Sequence, residues 1–227
     1  MKFYPYYEQN DSQVLWEFLK EQQTARVITL AAQALSASNE ALSSSASPAA
    51  EPFIQCGIFN PLILGAPDKN PDEWKFVFHF NRSDEQFKSM KANGCVKIVF
   101  DEILAVIPSY WVEEKYAGAA TTYYRYAEFE CSVQCIEEPR EMVAKFEALM
   151  KHYQPEGKYE KLEADSPIYE KSFKMLGIAE CTVTGKRTKW KLGQNRPVET
   201  RRRIIEQLRA RGKGNDVRAA EQVARFL

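Results

Sequence analysis

Between Lys75 and Glu130 the chain repeats one kind of segment, and that repetition limits what it can fold into. Lys-Phe-Val-Phe-His-Phe-Asn (75–81) is followed by Cys-Val-Lys-Ile-Val-Phe (95–100), Ile-Leu-Ala-Val-Ile (103–107) and the run from Tyr123 to Glu130. Each is short, rich in β-branched and aromatic residues, and bounded by turn formers such as Asn93-Gly94, Asp101 and Pro108. Successive segments of this type predict an antiparallel sheet or barrel. Phe76, Phe78 and Phe80 alternate with Val77, His79 and Asn81, so the first strand has one aromatic and one mixed face. A barrel of such strands leaves grooves where a planar ligand or a second subunit can dock.

The rest of the chain supplies further elements. Asn10 and Asp11 can cap a helix carrying the stripe Val14, Leu15, Phe18 and Leu19. Ala25 to Leu30 reads as a first strand and Phe53 to Leu64 as a second. Residues 31–50 turn abruptly to Ala, Ser and Asn, with Leu35 and Leu42 as the only large apolar groups, the composition of a disordered loop at a hairpin tip. Glu137-Glu138-Pro139 opens an amphipathic helix with Met142, Val143, Phe146, Leu149 and Met150. Pro167 starts a short helix. Leu176–Thr184 and Thr188–Leu192 read as a final pair of strands around Gly185-Lys186. Pro197 to Leu227 reads as two helices broken at Arg211-Gly212-Lys213-Gly214. The fold class expected is α+β, mainly β: a barrel domain over 1–195 and a basic C-terminal helical extension over 196–227.

Thirty-one basic residues balance thirty-one acidic ones, so net charge selects no partner. The five cysteines are odd in number and widely spaced, which fits free thiols in a reducing compartment. On a strand, Cys131 and Cys135 would lie about 13 Å apart, too far for a disulfide. With two histidines in the chain, no metal site of the usual zinc pattern is expected. The opening Met-Lys-Phe-Tyr-Pro-Tyr-Tyr lacks the apolar run of a signal peptide, and no stretch reaches membrane-spanning length. The expectation is a soluble cytoplasmic protein, a nuclear location being allowed, with no membrane partner.

Three groups of residues could carry chemistry. His79 and Arg82 could meet a phosphate or a ring edge at the barrel mouth, although a strand histidine more commonly bonds a neighbouring carbonyl. Tyr110, Trp111, Tyr116, Tyr123, Tyr124 and Tyr126 could stack on a planar ligand, although barrel aromatics more often fill a core or a dimer interface. The segment from Lys186 onward is strongly basic and could track nucleic-acid phosphates or bind an anionic cofactor, although a charged face of a packed helix is commoner and the tail lacks the spacing of a helix-turn-helix. There is no Gly-rich phosphate loop and no convincing hydrolytic triad.

At Lys189-Trp-Lys-Leu-Gly-Gln-Asn-Arg-Pro (189–197) the sequence resembles the C-terminal hallmark of the PaiB family. Those proteins are described as FMN-binding split-barrel regulators related in fold to pyridoxamine-phosphate oxidases. Met1-Lys-Phe-Tyr-Pro, Asn60-Pro-Leu-Ile-Leu, Phe78-His-Phe-Asn-Arg82, Ile107-Pro-Ser-Tyr-Trp111, Thr121-Thr-Tyr123 and Met175-Leu-Gly-Ile are similar to further family segments, in the same order. The resemblance implies an FMN-binding split β-barrel homodimer with a flavin at the subunit interface. His79, Arg82, Ser109, Trp111, Thr122 and Tyr123 are the residues it marks for cofactor binding, with Lys191, Gln194 and Asn195 from the C-terminal motif. Arg82 would take the phosphate, and Trp111 and Tyr123 would flank the ring. The function implied is a flavin-dependent regulator or sensor, or a flavin-dependent oxidoreductase, with no catalytic residue singled out. The alternatives are a haem-binding protein on the same barrel with His79 as axial ligand, and a cofactor-free interaction or DNA-binding regulator.

Overall fold

The computed structural model describes residues 2–31 and 53–227. Apart from Ala31, the Ala/Ser-rich loop expected over 31–50 lies outside the described residues. Helix α1 (Ser12–Lys20) precedes strands β1 (Ala25–Leu30), β2 (Ile54–Phe59), β3 (Leu62–Leu64) and β4 (Lys75–Asn81). Then come α2 (Glu85–Asn93), β5 (Cys95–Ile107), β6 (Thr121–Ile136), α3 (Pro139–Tyr153), α4 (Glu170–Met175) and β7 (Leu176–Lys191). Helices α5 (Val198–Arg211) and α6 (Asp216–Ala224) end the chain. The strands pair in the order β2-β1-β5-β6-β7-β4-β3. This is the α+β, mainly β, split-barrel class expected from the sequence. Among the described residues no helix is long and apolar enough to cross a membrane.

The chain packs as two compact units. One comprises Ser12–Val99 and Phe129–Lys186; the other comprises Met1–Asp11, Phe100–Glu128 and Arg187–Leu227. The C-terminal helices belong to the second unit, together with residues 100–128.

In the first unit, β4 buries its aromatic face throughout and its other face at Val77, while His79 and Asn81 are exposed. Phe76, Phe78 and Phe80 are buried as their alternation predicts, with Phe76 5.0 Å from Phe129 and Phe80 5.9 Å from Phe87. Val77 on the opposite face is equally buried, in a cluster with Ile178 of β7, Met142 and Leu149 of α3, and Phe173 of α4. The apolar stripe of α3 is what covers that face. Glu180 is anchored nearby by Lys75 at 2.6 Å and by Lys145. These lysines hold its carboxyl below the usual carboxylate range against the opposing effect of burial.

The strands differ from their sequence boundaries in instructive ways. The expected strand Phe53–Leu64 divides at Asn60-Pro61: β2 pairs with β1, while β3 pairs with β4. Proline has no N–H for a ladder, so the change of partner falls there. Two expected breaks do not occur. Asp101-Glu102 remain inside β5, and Gly185-Lys186 remain inside β7. Gly185 does not take the positive φ that a tight hairpin turn requires. Within the polar interval 83–94 the helix α2 forms, a feature sequence reasoning passed over. Asp84 accepts the Gln86 amide at 2.7 Å as its N-cap, and Gly94 closes it in the left-handed region at φ 65°.

In the second unit, Trp111, Tyr123, Trp190 and Leu192 are buried, as are Ile204, Ile205 and Leu208 of α5. Arg125 is buried with them. Its guanidinium lies 5.2 Å from the Trp190 ring centre, and its Nε donates to Glu102 at 2.7 Å. Arg218 of α6 donates to the other oxygen of Glu102. Glu102 thus explains why two acids persist within β5: one of them neutralises a buried arginine.

Glu102→Ala removes the carboxylate partner of a buried arginine and is expected to lower stability by about 3 kcal/mol. Glu113→Ala at an exposed position serves as the reference. Urea unfolding monitored by tryptophan fluorescence reads the difference, and equal midpoints for the two variants would refute the role given to Glu102.

Candidate functional site

The second unit contains a cavity of about 300 Å³, and strand alternation supplies its charge. On β7, residues Arg187, Lys189 and Lys191 share one face, while Trp190 between them is buried. Lys189 and Lys191 line the cavity, and Arg196 joins them from the turn after β7. Lys189 Nζ donates to the Lys2 carbonyl at 2.6 Å, and Lys191 Nζ donates to Thr121 Oγ1. Among the described residues, the Arg196 guanidinium makes no hydrogen bond or ion pair, and no carboxylate lines the cavity. Burial lowers the pKa of Lys191, and the charges of Lys189 and Arg196 lower it further. Three cations held together without an acid form a site suited to a multiply charged anion.

The turn that delivers Arg196 is fixed by its own side chains. Gln194 Oε1 accepts the Leu192 amide at 2.9 Å, and its Nε2 donates to the Trp190 carbonyl at 2.6 Å. The Arg196 amide closes the turn onto the Gly193 carbonyl at 2.9 Å. Gly193 stands at φ 81°, where glycine is strongly favoured, and a Cβ there would strike the Tyr123 hydroxyl. Tyr123 is buried in the cavity floor, and desolvation raises its pKa to about 12.

The opposite wall comes from the N-terminus. Tyr4, Tyr6 and Tyr7 line the cavity, the last two within a 3-10 turn begun by Pro5. Tyr7 is buried and donates its hydroxyl to Asn195 Oδ1 at 3.0 Å. Burial, then the neighbouring Tyr6, raises its pKa. The Gln9 amide donates to Thr188 Oγ1 at 2.8 Å, and that hydroxyl donates back to the Gln9 carbonyl at 3.0 Å.

Of the residues expected to bind a cofactor, Tyr123, Lys191 and Asn195 line this cavity, while Gln194 shapes its turn. Thr122 lies beside it on β6, outside the lining. Ser109 and Trp111 form a 3-10 turn in the same unit, and Trp111 is packed under Arg211, whose guanidinium sits 4.6 Å from its ring centre. His79 and Arg82 belong to the other unit. Arg82 donates Nε to the Leu176 carbonyl at 2.6 Å and Nη2 to the carbonyls of Phe173, at 2.8 Å, and Glu137. It ties the ends of β6, α4 and β7 together. His79 lies 6.1 Å from Phe146 and lines a separate cavity of about 280 Å³ with Phe59, Phe80 and Asp84. Desolvation lowers its pKa. Several C-terminal basic residues are engaged within the protein: Arg201, Arg203 and Arg211 donate to backbone carbonyls, and Arg211 also pairs with Asp216. Sequence reasoning missed Tyr4, Tyr6 and Tyr7 altogether. It placed Lys189 and Arg196 in a basic segment suited to nucleic-acid phosphates or an anionic cofactor, without singling them out as cofactor-binding residues.

Comparison with known proteins places the chain. The family described as "Putative FMN-binding domain" matches residues 1–185. The chain belongs to this family. FMN, the cofactor expected from the sequence, is thus the ligand of the family's own description. The match includes the tyrosines and Thr121 but ends before Lys189, so the cations come from sequence beyond it. No curated protein matches the chain. Two solved structures share the fold. The FAD- and haem-binding protein from Mycobacterium smegmatis has a TM-score of 0.57 at 11% identity, over 81% of this chain and 73% of that one. The flavocytochrome Anf3 from Azotobacter vinelandii has a TM-score of 0.58 at 13% identity, over 84% and 72%.

Gly193→Ala tests how the cavity is built. The added methyl must displace the Tyr123 hydroxyl and strain a positive φ, for an expected loss of about 1–3 kcal/mol. Thermal unfolding would read that loss. An unchanged midpoint would show that the turn relaxes freely.

Proposed function

We propose that this protein binds FMN in the cavity of the second unit, with the phosphate on Lys189, Lys191 and Arg196. The observation that carries this reading is the meeting of three cations, none facing a lining carboxylate, beside a wall of tyrosines. Charge without compensation inside a protein is costly unless a ligand supplies the opposite sign. A phosphate monoester supplies it, and the family supplies the flavin. Bound FMN would bring one- and two-electron transfer to the site, which serves a flavin-dependent oxidoreductase or a redox-responsive regulator. Exposed Ile103, Val106 and Tyr110, in the same unit, support assembly as a homodimer. Sedimentation velocity reads the state directly, and a monomer at micromolar concentration would exclude a tight dimer.

A second reading has its own observation. His79 is held toward its neutral form, the form that ligates iron, at a cavity with Phe59 and Phe80 in its walls. Haem binding there would give a Soret band lost on His79→Ala, and no Soret band on adding haemin would end it.

Titration with FMN, followed by flavin absorbance and fluorescence, tests the first reading. Arg196→Met is expected to weaken FMN binding roughly tenfold or more, the scale of a charge-assisted hydrogen bond, while riboflavin binding stays unchanged. Equal loss for both ligands would remove the phosphate from this pocket. Binding also has a pH signature. Because the Lys191 pKa is lowered, its charge is lost below the usual lysine range, so FMN affinity falls as pH rises through that depressed value. Lys191→Arg keeps its charge and is expected to flatten the decline.

A further inference from the structure

The N-terminal tyrosines invite a more specific assignment, one that rests on the flavin reading above. The segment from Lys2 to Gln9 is strapped along the end of β7 by three anchors: Lys2 at Lys189, Gln9 at Thr188 and Tyr7 at Asn195. It therefore holds its aromatic rings in place without help from a ligand. Within it the Tyr4 and Tyr6 rings are nearly parallel, 5.3 Å apart at an interplanar angle of 16°. Tyr7 meets Tyr6 edge-on at 4.4 Å and 68°, which fixes the Tyr6 plane from the buried side. Tyr4 is already engaged by Tyr6 and by Lys2 Nζ, 4.8 Å from its ring centre. Tyr6 is the more exposed of the pair, at 48% against 37%, and lines the cavity that holds the cations.

We propose that Tyr6 is the stacking platform for the ligand ring, with Tyr4 as its backing, so that the pocket selects planar aromatic phosphates over phosphate alone. The chemistry divides between two walls. The lysines and Arg196 recognise the anion and would take any phosphate, whereas an oriented aromatic face recognises only a ligand that carries a ring. A further ring laid on Tyr6 extends a stack whose first two members are already ordered, so little additional side-chain freedom is lost on binding. Tyr123 cannot serve this role because its ring is buried in the floor. Tyr6 is thus a specificity-determining residue supplied by the first turn of the chain.

The test compares the full-length parent, Tyr6→Ala and Tyr6→Phe. Each is titrated with FMN, with fluorescence quenching as the readout, and inorganic phosphate is used to displace the flavin. Tyr6→Ala is expected to weaken FMN binding roughly three- to tenfold, the scale of one aromatic stack, and to reduce quenching in the complex. Its affinity for inorganic phosphate should equal the parent's, which also shows that the cationic wall is still folded. Tyr6→Phe should behave as the parent on both counts. Parent-like FMN affinity and quenching in Tyr6→Ala would overturn the platform while leaving the phosphate site standing. A loss in Tyr6→Phe equal to that in Tyr6→Ala would overturn it too, since the hydroxyl and not the ring would then matter. Failure of the parent itself to bind FMN would overturn the flavin reading and this assignment with it.

Discussion

The two-residue period of β7 is the constraint on which the candidate site depends. An extended strand must send alternate side chains to opposite faces, so burying Trp190 commits Lys189 and Lys191 to the same side. Once there, they repel one another and the nearby Arg196. The protein holds that arrangement through hydrogen bonds to neutral groups: Lys189 to a backbone carbonyl, Lys191 to a threonine hydroxyl, and Gln194 to the Leu192 amide and Trp190 carbonyl where the following turn begins. None of these bonds cancels charge. The site keeps its positive potential because its partners are neutral.

Elsewhere the same residue types do the opposite. Arg125 is neutralised by Glu102, Arg187 by Glu128 and Arg211 by Asp216. Arg82 is held by carbonyls at the ends of β6, α4 and β7. A cation that closes a structural junction is saturated by the groups it joins, whereas a cation kept for a ligand is not. That contrast separates Arg196, which lines the cavity, from Arg187, Arg201, Arg203, Arg211 and Arg218, each of which has a partner within the protein.

Much of the architecture was legible locally. The alternation in β4, the stripe on α3 and the glycine break between α5 and α6 each follow from short-range pattern, because helices and strands impose fixed periods on burial. The failures have equally specific causes. Asp101-Glu102 resembled a break, but Glu102 is retained in β5 by an arginine on another strand. Gly185-Lys186 resembled a turn, but the backbone stays extended. The helix after β4 announced itself only through its caps, Asp84 and Gly94, since its apolar stripe is weak.

The sequence by itself determined most of the element types, the cationic alternation at the end of β7 and the motif that follows it, because these are set by residues within a few positions of one another. Only the tertiary structure decided which arginines are saturated and which tyrosines reach the cations. Tyr7 and Asn195 meet across a separation of 188 residues. A contact of that range leaves no periodic trace in the chain. It exists because Gln9 and Thr188 fasten the first turn of the protein to its last strand, and packing rather than pattern brings those two segments together.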